Sequence, residues 1–227
     1  RAIVVGNPGL EPWTANSFHL SLDSYQLKGG FGSIGVYQKD VKNFFAQRGT
    51  PATKALLQSY NIADSDIEFM LNDQYVLRRW ENVGAARLAG VEASYRQDLW
   101  FVPSWLKLTQ VWVNYTHLQV SGANEEDFVG FTPDVLSFGV NYIRSRLSLR
   151  LTGSYQAETR KSYILVIPGT SAEGFIPQRT YEYQAAATQY GVSAEYAITK
   201  RASLYLNWSN VFAKDLLVYR RAPDTPK

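Results

Sequence analysis

The stretch "RLSLRLTGSYQ", Arg146 to Gln156, alternates without a break. Leu147, Leu149, Leu151, Gly153 and Tyr155 occupy one parity, and Arg146, Ser148, Arg150, Thr152, Ser154 and Gln156 the other. A period of two is the signature of a strand with one apolar and one polar face. Which face looks inward decides the class of protein. In a soluble β domain the leucines would fill a core and the arginines would meet water. In a barrel that crosses a bilayer the leucines face lipid and the arginines a wet lumen.

The same period recurs along the chain and gives about eight strands, with no second domain signalled. "SFHLSLDSYQLK" alternates Phe18, Leu20 and Leu22 with His19, Ser21 and Asp23, then turns at Gly29-Gly30 into "SIGVYQKDVKNFF". From Arg87, Ala89, Val91, Ala93 and Tyr95 oppose Gly90, Glu92, Ser94 and Arg96. "LKLTQVWVNYTHL" follows, then "DVLSFGVNYI", the opening stretch, "TQYGVSAEYAI" and "ASLYLNWSNVF". The connections after the odd strands are short: Gly29-Gly30, Phe101 to Ser104, Arg144-Ser145 and Thr199-Lys200. Those after the even strands are long: Ala46 to Gly84, Ser121 to Thr132 and Thr159 to Tyr183. Strict alternation puts all short turns at one end of an antiparallel up-and-down meander, the plan of outer-membrane barrels with short periplasmic turns and long outer loops. Sandwiches and Greek keys have no reason to segregate loop lengths in this way. Within the first long loop "TPATKALLQSY" predicts a short helix with Thr50 as N-cap and Pro51 at its first position, Leu56 and Leu57 packing inside the loop.

Composition is compatible with this reading. The 227 residues carry 23 Lys plus Arg against 20 Asp plus Glu, a net +3 that gives no footprint for nucleic acid. There is no Cys, hence no disulfide, thiolate metal site or cysteine nucleophile. Mean hydropathy is −0.24. No apolar run approaches the ~18 residues of a transmembrane helix, a test that barrel strands escape because only alternate residues face lipid. The sequence opens at Arg1 without Met or a signal peptide and closes on "RRAPDTPK", which leads us to expect a fragment.

Summed over strands, the polar faces carry residues suited to a lumen: Glu92, Arg96, Asn141, Arg146, Arg150, Glu195 and Asn207. An Arg on the lipid face near mid-bilayer would cost about 2 to 4 kcal/mol, which fixes the register of the opening stretch. Trp100, Phe101, Trp105, Tyr142 and Tyr196 fall toward the short turns, and Tyr37, Tyr115, Tyr155 and Trp208 toward the long loops. Two aromatic belts around an aliphatic band are what headgroup interfaces select, although Tyr and Trp also simply favour strands. Open edges cost several kcal/mol per unpaired group in lipid, so a sheet of this kind is expected to be an arc of a wider barrel.

Four motifs in order carry a resemblance to a known family. They are Asn7, Pro8, Leu10 and Pro12 entering the first strand; Tyr37 to Lys42 in its hairpin partner; Gly90 and Glu92 after the first long loop; and Asn210, Val211 and Phe212 near the end. Together they resemble the C-terminal part of the β-barrel of TonB-dependent outer-membrane receptors over essentially the whole chain. The resemblance implies an all-β fold: eight of the family's ~22 strands, an incomplete arc of a large transmembrane barrel. It places the N-terminal plug, the TonB box, the earlier strands and the final strand outside residues 1–227. It implies uptake of a scarce nutrient such as a siderophore, cobalamin or oligosaccharide, energised by the TonB complex through the plug. The implied partners are outer-membrane lipid, the TonB complex and a small nutrient ligand, with no nucleic acid, and the implied location is the cell outer membrane. A soluble aromatic-rich β-sandwich binding module and a passive porin-type barrel are the alternatives.

Little else in the sequence suggests chemistry. His19 and His117 stand apart on strands, outside any metal-ligand spacing, and no nucleophile elbow or phosphate-cradling loop occurs. We expect no enzyme, no catalytic residue, no cofactor and no metal. Glu125, Glu126 and Asp127 read as a solvated loop, with calcium the lesser alternative. The sequons at Asn114 and Asn207 lie within strands and read as chance. Arg78, Arg79 and Trp80 would sit near the mouth, where cations and a ring suit an anionic chelate or a sugar but equally suit ordinary loop packing. No ligand-binding residue is assigned.

Overall fold

The computed structural model describes residues 2–122, 129–164, 174–177 and 180–222. The elements are β1 (Ala2–Val4), β2 (Thr14–Ser24), β3 (Gly30–Pro51), α1 (Lys54–Ser59), α2 (Asp64–Asn72), β4 (Val76–Asp98), β5 (Thr109–Gly122), β6 (Asp134–Arg144), β7 (Leu147–Gln156), β8 (Thr159–Tyr163), β9 (Tyr181–Gln184), β10 (Ala187–Thr199), β11 (Ala202–Trp208) and β12 (Val218–Arg221). Eight of them form one antiparallel meander in the order β2-β3-β4-β5-β6-β7-β10-β11, with β1 added in parallel to β4. The meander does not close: β2 and β11 each pair on one side only. A separate sheet, β8-β9-β12, stands beyond β7 and β10.

Register assigns the faces, because directly paired residues point the same way. Across β3 to β6 one row reads Ile34, Ala93, Tyr115 and Leu136, which continues into Tyr155 of β7. A second row reads Val111, Val140, Leu151, Val192 and Trp208. The opposite parity reads Asp98, Gln110, Asn141, Arg150, Ser193 and Asn207. Leu147, Leu149 and Leu151 therefore share a face with every other aliphatic row, and Arg150 shares one with Glu92, Arg96, Asn141, Glu195 and Asn207. The two hollows of the wall open on the polar side, which makes it the lumen. The apolar side has no protein partner: Leu22 is 72 % exposed, Leu204 67 % and Leu151 52 %. Tyr37 departs from expectation. It pairs with His19 and Gly90 on the lumen face, because its odd number opposes the parity of Ile34 and Val36.

The lumen-facing Tyr37 explains a glycine. A Cβ on Gly90 would lie 2.2 Å from the His117 carbonyl oxygen and 2.5 Å from Tyr37 Oη, so two of the recognised motifs interlock across β3 and β4. Gly153, in the middle of the decisive strand, is similarly covered on the lipid face: its Cβ would lie 2.3 Å from Phe138 Cζ.

The long-loop end is more ordered than the alternation alone foretells. β3 and β4 continue far past the membrane wall, so the loop expected over Ala46 to Gly84 shrinks to residues 52–75. A bulge between Val41 and Phe45, with Asn43 and Gly84 at positive φ, breaks the parity and hides the extension. Thr50 and Pro51 belong to β3. The helix begins later, at Lys54, where the Thr53 side chain accepts from Leu56 N at 3.3 Å. The second helix, α2, has Asp64 and Asp66 in its first turn, where carboxylates favour the helix dipole. Leu57, Ile67 and Leu77 form the most buried cluster of the chain, against Ile3, Leu56 and Met70. Leu56 and Leu57 thus pack as expected. The expected loop after β7 contains β8 and β9; its residues 165–173 and 178–179, and the Glu125 to Asp127 segment, lie outside the described residues.

Candidate functional site

Toward the short turns the lumen face carries a chain of hydrogen bonds across four strands. Arg150 Nε donates to Asn141 Oδ1 at 3.0 Å, Asn141 Nδ2 to Gln110 Oε1 at 3.4 Å, and Gln110 Nε2 to Asp98 Oδ1 at 2.7 Å. These residues, with Glu195, Tyr205 and Asn207, line a hollow of about 1060 Å³. A smaller hollow of about 340 Å³ is lined by His19, Ser21, Ser33, Glu92, Ser94 and Asn114. From this smaller hollow a row of short polar side chains, Ser33, Ser94, Asn114, Ser137 and Ser154, runs one per strand from β3 to β7. Alternation places all of them on one wall. Their short side chains leave this face of the wall open.

The lipid face ends in a polar rim toward the long loops. Tyr115 Oη donates to Asp134 Oδ1 at 2.7 Å, and His117 Nδ1 lies 2.8 Å from the same oxygen. Arg87 Nε pairs with Asp40 Oδ1 at 2.6 Å, and Gln38 Nε2 donates to Asp40 Oδ2 at 2.8 Å. The aliphatic rows stop beneath this rim, which sets the height of the apolar band.

Two structures rise above it. On the β3–β4 extension Asn82 acts as a clasp: it donates to Glu11 O at 2.9 Å and Asn43 O at 2.8 Å, and accepts from Glu11 N at 2.9 Å. Asn7, of the entry motif, donates to Trp80 O at 2.8 Å. Arg78, Arg79 and Trp80 do come to this end but are not gathered into one site. Arg79 Nε pairs with Glu81 at 2.5 Å and Nη1 reaches Tyr60 Oη at 3.3 Å, contacts that raise its pKa, Glu81 first. Trp80 meets Phe45 edge-on at 5.6 Å, and Arg78 is exposed. The second structure is the β8-β9-β12 sheet. There Arg221 Nη2 donates to Glu158 Oε1 at 2.7 Å and its guanidinium lies 4.2 Å from the Tyr183 ring. Tyr219 donates to Glu158 and stacks on Tyr183 at 5.8 Å. Burial works against the charge of Arg221, but hydrogen bonds to Glu158 and Tyr183 more than offset it and raise its pKa. The Glu158 bond likewise raises Tyr219 above its usual 10.0. This cluster had no sequence signal, since Glu158, Tyr183 and the Tyr219–Arg221 pair come from three distant segments with no shared period.

Among the described residues no group of three or more His, Asp or Glu is placed to hold a metal ion. No helix is long and apolar enough to cross a membrane, which says nothing of strands. The motif near the C-terminal end closes a turn: Asn210, at φ 49°, accepts from Lys214 N and donates to Lys214 O, each at 3.0 Å, while Phe212 packs edge-on against Tyr190 at 5.4 Å.

An apolar outer face, a polar inner face, segregated loops and an open meander define an incomplete arc of a wide transmembrane β-barrel. The family described as TonB dependent receptor-like, beta-barrel matches residues 1–211, and the chain belongs to that family. Solved structures agree on the fold. A mutant ferric enterobactin receptor PfeA from Pseudomonas aeruginosa, in complex with enterobactin, superposes with a TM-score of 0.62 at 19% identity, covering 94% of this chain and 28% of that one. The siderophore receptor PirA from Pseudomonas aeruginosa gives 0.60 at 19% identity, covering 96% and 30%. The copper transporter OprC gives 0.63 at 15% identity, covering 93% and 28%. The chain thus spans under a third of these proteins. No curated protein matches it at a significant level. The family and the compared structures are receptors and transporters.

Proposed function

We propose that residues 1–227 form part of the barrel wall of an outer-membrane receptor that imports a scarce nutrient, energised by the TonB complex through a plug contributed by the parent protein outside this arc. The short turns then face the periplasm and the long loops the outside. The observation that carries the reading is the register-wide separation of an exposed aliphatic face from a polar lumen face, on a chain of this family. A ferric siderophore is the preferred ligand class, since enterobactin and siderophore receptors are among the structures that share the fold and the long-loop end is rich in Arg and Tyr. Cobalamin and oligosaccharides are the other candidates.

The test is uptake. In the source bacterium, deletion of the parent gene should abolish accumulation of one radiolabelled ligand among ferric siderophores, cobalamin and oligosaccharides. A TonB deletion should do the same. Accumulation that depends on the gene but not on TonB would replace this reading with a passive porin-type pore. Recovery of the parent protein in the soluble fraction would replace it with a soluble binding module.

A further inference from the structure

The four short turns carry a charge pattern that the lumen accounts for only at Lys107, which lines the larger hollow, and Arg146, which shares the parity of Arg150. They comprise residues 24–30, 97–108, 144–146 and 199–202, and hold Lys28, Lys107, Arg144, Arg146, Lys200 and Arg201 against the single carboxylate Asp98. The whole chain has a net charge of only +3, so its positive excess is concentrated on this rim. Every turn contributes at least one cation, and all six side chains are exposed. Asp98 is turned away into the lumen, where Gln110 holds it.

One of these cations lies directly on the aromatic belt. Trp100, Phe101 and Trp105 are 44, 62 and 60 % exposed, at the depth where indole rings settle among headgroups. Lys28 Nζ lies 4.0 Å from the Trp100 ring, so ammonium and indole occupy one level. Arg144 shares the lipid-face parity of Tyr142 and Leu147. Lys200 and Arg201 form the tip of the β10–β11 turn, and the exposed Tyr196 sits further along β10, paired with Leu204. A Lys or Arg anchored beside an apolar band extends its charge to the membrane surface, where an anionic headgroup is its natural counter-ion.

We propose that this rim is a binding surface for anionic phospholipid headgroups of the leaflet that contacts the short turns. Charge complementarity and continuity with the lipid-facing band identify the occupant, and the proposal rests on the transmembrane reading above but not on nutrient import. A cation near an anionic surface multiplies lipid association about five-fold, an effect that salt screens.

The intact parent receptor, reconstituted in phosphatidylcholine bilayers, is probed with spin-labelled phosphatidylglycerol and spin-labelled phosphatidylcholine. The motionally restricted fraction gives the relative association constant. Phosphatidylglycerol is expected to be preferred about five-fold, with the preference falling toward one in 1 M salt. The variant carrying Lys28→Gln, Arg144→Gln, Lys200→Gln and Arg201→Gln should lose the preference, and the matching Arg→Lys variant at 144 and 201 should keep it. Equal association of the two lipids with the native receptor overturns the proposal, as does a preference unchanged in the Gln variant. If the Gln variant does not fold, a salt-insensitive preference in the native receptor is the overturning result. Tight binding of a soluble acidic peptide without any lipid preference would assign the rim to a protein partner instead. Recovery of the parent in the soluble fraction would sink the transmembrane reading itself, so the two failures are distinct.

Discussion

A single arginine moved along the decisive strand measures what surrounds it. Leu147, Leu149 and Leu151 lie on the lipid face of β7, with Leu151 in the middle of an aliphatic row and Leu147 next to the turn at Ser145. Four residues of strand span about 13 Å, which a tilt of ~40° reduces to about 10 Å along the membrane normal. The apolar band of such barrels is ~25 Å tall, so with Leu151 near its middle Leu147 lies within a few ångströms of the interface. Leu151→Arg is therefore expected to cost about 2 to 4 kcal/mol, Leu147→Arg about 0 to 1, and Leu149→Arg an intermediate amount. Thr152→Arg, next to Arg150 on the lumen wall, should stay within about 1 kcal/mol of the parent.

The assay is reversible denaturant unfolding of the intact parent barrel in phospholipid vesicles, followed by tryptophan fluorescence. The profile matters more than any single value. A lipid environment grades the cost with depth, because arginine near the interface reaches water by extending its side chain. A packed protein core would penalise all three leucine positions heavily, since none would have water within reach. A flat profile, or Thr152→Arg costing more than Leu151→Arg, would refute the assignment of the two faces.

Four further outcomes follow from local geometry. Gly90→Ala should destabilise by about 1 to 3 kcal/mol and resist rescue by Tyr37→Ala, because the His117 carbonyl remains 2.2 Å from the new Cβ; Gly153→Ala should be largely rescued by Phe138→Ala, since the three nearest atoms all belong to that ring; both are read by the same unfolding assay. Asn82→Ala removes three hydrogen bonds of the clasp and should weaken it by about 1 to 2 kcal/mol, seen as faster hydrogen exchange at the Glu11 amide. Arg221→Ala leaves Glu158 half-buried without its cation and should open β12 by about 1 to 3 kcal/mol, read as faster exchange of the paired amides between β9 and β12. Because the folded pKa of Tyr219 is raised above 10.0, its contribution to this sheet is fully present below pH 10.0 and is lost as pH climbs through the folded value; near-ultraviolet circular dichroism should show that alkaline loss, and Tyr219→Phe should abolish it.

The membrane wall was legible because one rule, the period of two, governs it, and because the loop lengths alternate with it. Leu151 and Arg150 could be assigned to opposite faces before any pairing was known. Tyr37 shows how that rule fails when it is set aside: chemistry suggested an interfacial belt, but the parity of Ile34 and Val36 already put position 37 on the lumen side. Thr50-Pro51 mimics a helix start, yet Ala52 N still bonds Tyr75 O across the β3–β4 extension, so the cap passes to Thr53. The bulge at Asn43 inverts the alternation above it, and no local pattern announces a bulge. β12 is less legible still. Its partner β9 is more than thirty residues away, and the residue that fixes it, Glu158, is sixty away. Short strands held by one half-buried ion pair leave no periodic trace. The lumen chain from Arg150 to Asp98 falls between these cases: its members had the right parity, but only the register shows that they meet.

The distribution of buried residues follows from there being two solvents. In the wall a side chain faces either lipid or the lumen, so apart from Thr109 and the glycines Gly35, Gly139 and Gly153 the buried residues of the described chain gather at the long-loop end: Leu57, Ile67 and Leu77 among the helices, Val41 and Ala86 at the bulge, Thr159, Tyr181 and Ala187 at the second sheet. The wall is held instead by its ladder, and a ladder stabilises only strands that have neighbours on both sides. β2 and β11 present free edges, each a row of backbone donors and acceptors that lipid cannot satisfy, at several kcal/mol per group. The helices have their own apolar cluster and the small sheet its ring contacts and ion pair, so both are locally self-supporting, whereas the arc depends on the strands that complete the barrel. A substitution in the wall will therefore be felt as cooperative loss of the whole barrel, and one in the outer structures as local opening. This is why denaturant unfolding is the measure for Leu151 and Gly90, and hydrogen exchange for Asn82 and Arg221.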